Sequence, residues 1–90
     1  MIPKKIKVTV TAADIKNGKQ KRCESCPIAL AMQRGYKIKK SNISVVDDIR
    51  IDLTENTAFY YHIPEKASLF IRRFDEGEKV NPFTFFATLA

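Results

Sequence analysis

The pattern that most restricts the fold lies near the two ends of the chain, where apolar and polar residues alternate with a period of two. In Lys5-Ile6-Lys7-Val8-Thr9-Val10, the side chains of Ile6, Val8 and Val10 share one face, and Lys5, Lys7 and Thr9 share the other. Phe83-Thr84-Phe85-Phe86-Ala87-Thr88-Leu89 repeats the pattern, with Phe83, Phe85, Ala87 and Leu89 on one side. Successive side chains of a strand point to opposite faces, so each segment reads as a strand buried on one face only. A sheet with one greasy face must cover it, and helices packed on that face are the economical solution.

The rest of the chain supplies those helices and three more strands. Thr11 suits a helix N-cap, Asp14 supports the same end, and Asn17-Gly18 is expected to end this short helix through a left-handed backbone. Lys19 to Ser25 reads as a basic loop. Cys26 then serves as N-cap and Pro27 as the first residue of a second helix, apolar from Ile28 to Met32 and expected to stop at Gly35. Ile43-Ser44-Val45-Val46 and Ile49-Arg50-Ile51-Asp52-Leu53 read as strands around a two-residue Asp47-Asp48 turn. Glu55-Asn56 turns the chain into a strand over Phe59-Tyr60-Tyr61-His62-Ile63. Pro64-Glu65 opens an amphipathic helix with Ala67, Phe70, Ile71 and Phe74 on one face, and Gly77 stops it. The order β-α-α-β-β-β-α-β predicts an α+β fold: a small, mostly antiparallel sheet of four to five strands, helices on one face, and the two terminal strands near each other.

Ninety residues make one domain, 1–90, with no internal repeat or linker. No apolar run approaches the ~18 residues of a membrane span. The start Met1-Ile2-Pro3-Lys4-Lys5 is basic but has no apolar run after it, unlike a signal peptide. The expectation is a cytoplasmic protein whose two cysteines stay reduced.

Charge is distributed unevenly. Residues 1–40 hold eleven Lys or Arg and two acids, a net of +9, whereas residues 41–90 hold five and eight, a net of −3, which together give the formal +6. Lys5, Lys7, Lys19, Lys21, Arg22, Lys37, Lys39 and Lys40 form the candidate binding set, for an acidic protein surface, a nucleoprotein or nucleic acid directly. Base stacking needs exposed aromatics as well, and Tyr36 and Tyr60 are the candidates. The plain alternative is a solvated lysine surface that keeps a small protein soluble.

Cys23-Glu24-Ser25-Cys26 is the one motif with potential chemistry. A thiol at a helix N-terminus close to Lys21 and Arg22 is expected to ionise easily, as in thioredoxin-like sites. The preceding βαβ run is missing, however, and the chain has no Trp. A zinc site would draw on Cys23, Cys26 and His62, one ligand short of a tetrahedral set. The favoured structural alternative makes Cys26 a small buried cap with Cys23 packed beside it. His62, the single histidine, falls on the strand face opposite Phe59 and Tyr61, with no nucleophile or acid that sequence assigns to it. Paired carboxylates, a P-loop and a dinucleotide glycine motif are all missing, so neither enzymatic activity nor a cofactor is expected.

Three stretches, Val8-Thr9-Val10-Thr11-Ala12-Ala13-Asp14-Ile15, Cys23-x-x-Cys26-Pro27-Ile28-Ala29-x-Ala31 and Phe70-Ile71-x-x-Phe74-Asp75-x-Gly77-x-x-Val80-x-Pro82-Phe83-x-Phe85, together resemble a group of short proteins of bacteriophages and bacterial mobile elements. The resemblance brings no catalytic residue with it. It implies a small protein that binds and inhibits a host protein or nucleoprotein complex, such as a CRISPR defence complex. The reading is then a basic, non-enzymatic interaction module; direct nucleic-acid binding and a zinc or thiol-redox role for Cys23 and Cys26 are the alternatives.

Overall fold

The computed structural model describes residues 3–90; Met1 and Ile2, part of the start read above for a leader pattern, lie outside the described residues. The elements are β1 (Lys5–Val10), α1 (Ala12–Asn17), α2 (Pro27–Tyr36), a 3-10 turn (Lys40–Asn42), β2 (Ile43–Val45), β3 (Asp48–Thr54), β4 (Thr57–His62), α3 (Glu65–Asp75) and β5 (Phe83–Leu89). Five strands form one curled sheet in the order β1-β5-β4-β3-β2, with every neighbouring pair antiparallel. The fold is α+β, and the terminal strands are direct neighbours.

Alternation accounts for the pairing. β1 buries Ile6, Val8 and Val10 and exposes Lys5, Lys7 and Thr9. Ile6 lies opposite Ala87, Val8 opposite Phe85 and Val10 opposite Phe83, so the two inward faces coincide. A slip of one residue would turn lysines into the core, which makes this register the stable one. The core continues through Ile49 and Tyr61 and is closed by Ile28, Ala29 and Met32 of α2 and Ala67 and Phe70 of α3. Phe70 meets Phe83 with ring centroids 4.6 Å apart. All the helices cover the inward face, and the outward face is open to solvent.

The α1–α2 segment carries the chain from β1 at one edge to β2 at the other. Thr11 and Asp14 close a capping box at the start of α1. Gly18 then differs from expectation: its φ of −69° is extended, not left-handed. Glycine is required there by close approach, since a Cβ would lie 2.7 Å from Cδ of Pro27 and 2.8 Å from the Asp14 carbonyl. Gly35 also differs. It sits inside α2, which runs one residue further to Tyr36, and Lys37 adopts the left-handed φ of 54° that ends the helix. Two bonds hold that last turn to β1: Arg34 Nη2 donates to the Thr9 carbonyl at 2.9 Å and the Tyr36 hydroxyl to the Lys7 carbonyl at 2.8 Å.

The two hairpins divide the same way. Glu55-Asn56 forms the expected two-residue turn, with Thr54 facing Thr57. The Asp47-Asp48 turn is displaced by one residue: β2 ends at Val45 and β3 begins at Asp48, so Val46 and Asp47 make the turn, with Val45 facing Ile49. Asp48 is already extended, paired with His62 across β4. At the end of α3, Gly77 takes the expected left-handed φ of 78°. Among the described residues, no helix is long and apolar enough to cross a membrane.

Candidate functional site

The Cys-x-x-Cys loop folds as a brace. The Cys26 sulfur caps α2, accepting from the Ala29 N–H at 3.4 Å, and the side chain is buried. Burial in apolar surroundings outweighs the helix-end bonds from Ala29 and Ile28 and pushes the thiol up to about 11 from its usual 9.0. The expectation of an easily ionised thiol is therefore corrected: desolvation disfavours the thiolate more than the helix terminus favours it. Cys23 is half-buried, and its carbonyl accepts the Val45 N–H at 2.9 Å, satisfying an edge group of β2. His62 is on the outward face of β4, its Nδ1 3.2 Å from Asp48 Oδ1. The fold thus puts Cys26 in the core and His62 on the solvent side of the sheet. Among the described residues, no group of three or more His, Cys, Asp or Glu side chains gathers as metal ligands would.

The eight basic residues occupy three places. Lys5 and Lys7 lie on the outward face of β1. Lys19, Lys21 and Arg22 belong to the loop before α2, where the Lys21 N–H donates to Asp75 Oδ1 at 2.9 Å. Lys37, Lys39 and Lys40 follow α2, whose ten residues separate them from the second group by about 15 Å along its axis. The second and third groups are thus held apart by the length of α2, while the Tyr36 hydroxyl, bonded to the Lys7 carbonyl at 2.8 Å, brings the start of the third group beside β1.

The third group flanks a feature that periodicity alone does not disclose. Beyond the end of α2, the inward face of the sheet is left partly bare. An apolar groove of about 190 Å³ opens there between Met32, Tyr36 and Ile38 on one side and Ile51, Leu53 and Phe59 on the other. Leu53 and Tyr36 stand at 55% and 43% exposure. The size suits a protein side chain better than a drug-sized ligand, which takes roughly 300–1,000 Å³. Lys37 and Lys39 alternate along the chain with the lining residues Tyr36 and Ile38, and the segment from Arg34 to Val46 contains no acid. Of the nearest acids on the β3–β4 hairpin, Asp52 is paired with Arg50 at 2.9 Å.

On the outward face, where Lys5, Lys7 and Tyr60 were expected, the residue that sequence missed is Phe86. Phe86 falls between Phe85 and Ala87 of the inward set, and its ring is 50% exposed. Tyr60, named above as a stacking candidate, is 44% exposed on the same face. The signal for Phe86 was present in the period of two, which assigns it to the polar side of β5.

The chain matches no protein-family model, no curated protein and no solved structure.

Proposed function

We propose that the protein is a non-enzymatic interaction module that takes an apolar anchor residue of an acidic partner protein into the groove between α2 and the β3–β4 hairpin. The observation that carries this reading is the pairing of an exposed apolar groove with Lys37, Lys39 and Lys40 on the acid-free segment beside it. The apolar lining provides the burial and the lysines provide orientation and rate, the usual division between the centre and rim of an interface. The phage-type resemblance supports the same class of role, an inhibitor seated on a host protein or nucleoprotein.

Peptide display tests it. Random peptides are selected on the wild-type protein and counter-selected on a Leu53→Asp variant, which places a charge on an exposed groove residue and leaves the core intact. The expected winners carry an aliphatic or aromatic residue flanked by Asp and Glu, and lose affinity with salt and in a Lys37→Gln/Lys39→Gln variant. Winners that bind both proteins equally, or that are basic, would refute the reading.

A further inference from the structure

We propose that the outward face of the sheet, on the opposite side from the groove, binds single-stranded nucleic acid, with bases stacking on Phe86 and Tyr60 and phosphates held by Lys5 and Lys7. The face is ordered by register. Lys7 lies beside Phe86, Lys5 beside Thr88, and Thr88 beside His62. One row over, Tyr60 lies beside Arg50. Each exposed ring already has a cation over it: Lys5 Nζ is 4.8 Å from the centroid of Phe86, and Arg50 Cζ is 5.9 Å from that of Tyr60. Aromatic rings interleaved with cations on an open sheet are what base stacking and phosphate binding together require.

Charge selects the occupant. The outward residues of β1, β5 and β4 include no acid. The acids of the face, Asp48 and Asp52, are confined to β3 and engaged by His62 and Arg50. A positively charged partner surface would be repelled by Lys5 and Lys7. A strand of nucleic acid instead presents a phosphate for each lysine and a flat ring for each aromatic. The offset of the rings suits a nucleic-acid strand running lengthwise along the neighbouring β5 and β4. Ala90 bonds to Tyr60 at 2.8 Å, and Phe86 lies four residues before Ala90 in the sequence, or roughly 14 Å along the strand direction. Duplex fits poorly, because its bases are already stacked and its major groove admits a helix or narrow ribbon, not a five-stranded face. Lysine stems are flexible, so Lys5 can leave the Phe86 ring to a base and keep its ammonium on the phosphate.

The test is fluorescence anisotropy with a labelled oligo(dT) of about 15 nucleotides, near the upper end of single-strand site sizes. Binding is expected at about 50 mM salt and is expected to weaken steeply towards 200 mM. Phe86→Ala should weaken it about tenfold, in the range of a lost base stack, and Phe86→Trp should retain it; both changes are on the surface and leave the fold intact. Lys5→Gln/Lys7→Gln should lower the salt slope by about 1.4, two phosphates' worth for a single strand. Lys39→Gln/Lys40→Gln and Leu53→Asp should leave binding unchanged, which separates this surface from the groove. Absence of binding at low salt, wild-type affinity in Phe86→Ala, or equal competition by duplex would each overturn the proposal.

Discussion

Asp14 holds Arg34 across the interface between the first two helices. One carboxylate oxygen accepts from Arg34 Nη1, and the other accepts the Thr11 N–H at 2.9 Å. Arg34 in turn reaches the Thr9 carbonyl. A single buried acid therefore caps α1, anchors the last turn of α2 and ties both to β1, along the path that leads from one sheet edge to the other.

Asp14→Ala should lower stability by about 2 kcal/mol in urea titration, from loss of the cap and of a charge-assisted bond. Arg34→Gln should cost less than about 1 kcal/mol, because the guanidinium is half-exposed and screened. A double-mutant cycle should show coupling between the two. Additive effects would mean that the pair contributes nothing beyond its separate parts.

Gly18, at the end of α1, and Gly35, inside α2, should respond in opposite directions. Gly18→Ala places a Cβ against Pro27 and the Asp14 carbonyl and should destabilise by about 1–3 kcal/mol. Gly35→Ala meets nothing within 4 Å and should stabilise by about 0.5–1 kcal/mol through helix propensity. Thermal melts of both variants check the contrast, and a shared sign would contradict the packing described.

Cys26 makes stability depend on pH at the alkaline end. Its thiol ionises near 9.0 in the unfolded chain and only near 11 when folded. The unfolded state therefore holds fewer protons between those values, and the contribution, intact below pH 9, is lost as pH rises through 11. The loss amounts to roughly 2–3 kcal/mol. The readout is the difference between wild type and Cys26→Ala, which should show a shallower decline. Parallel curves would sink the prediction. Thiol alkylation at pH 8 should modify Cys23 well before Cys26.

Phe70→Ala removes the ring that links α3 to Phe83 and should cost about 3–5 kcal/mol. A loss below 1 kcal/mol on denaturant titration would mean that α3 does not depend on this contact.

Local pattern made much of the fold readable. The period of two in Lys5–Val10 and Phe83–Leu89 defined both strands and their inward faces, and the spacing of Ala67, Phe70, Ile71 and Phe74 defined the buried side of α3. These signals survive because each depends on neighbours within one element. The roles of Gly18 and Gly35 did not read correctly; Cys26 is the small buried cap favoured above, but its thiol does not ionise easily. Gly18 answers to Pro27, nine positions away, and Cys26 to a core built from both ends of the chain.

The candidate surfaces divide along the same line. Alternation alone dictated that Lys5, Lys7, Thr84 and Phe86 turn away from the core, because a side chain's face follows from its place in the strand. The spacing of the lysine groups and the bare end of the sheet beyond Tyr36 came from the chain's crossing between sheet edges, and the row that joins Phe86 to Lys7 from the pairing of the two terminal strands. Those relationships join residues distant in sequence, and long-range packing brings them together where periodicity has no reach.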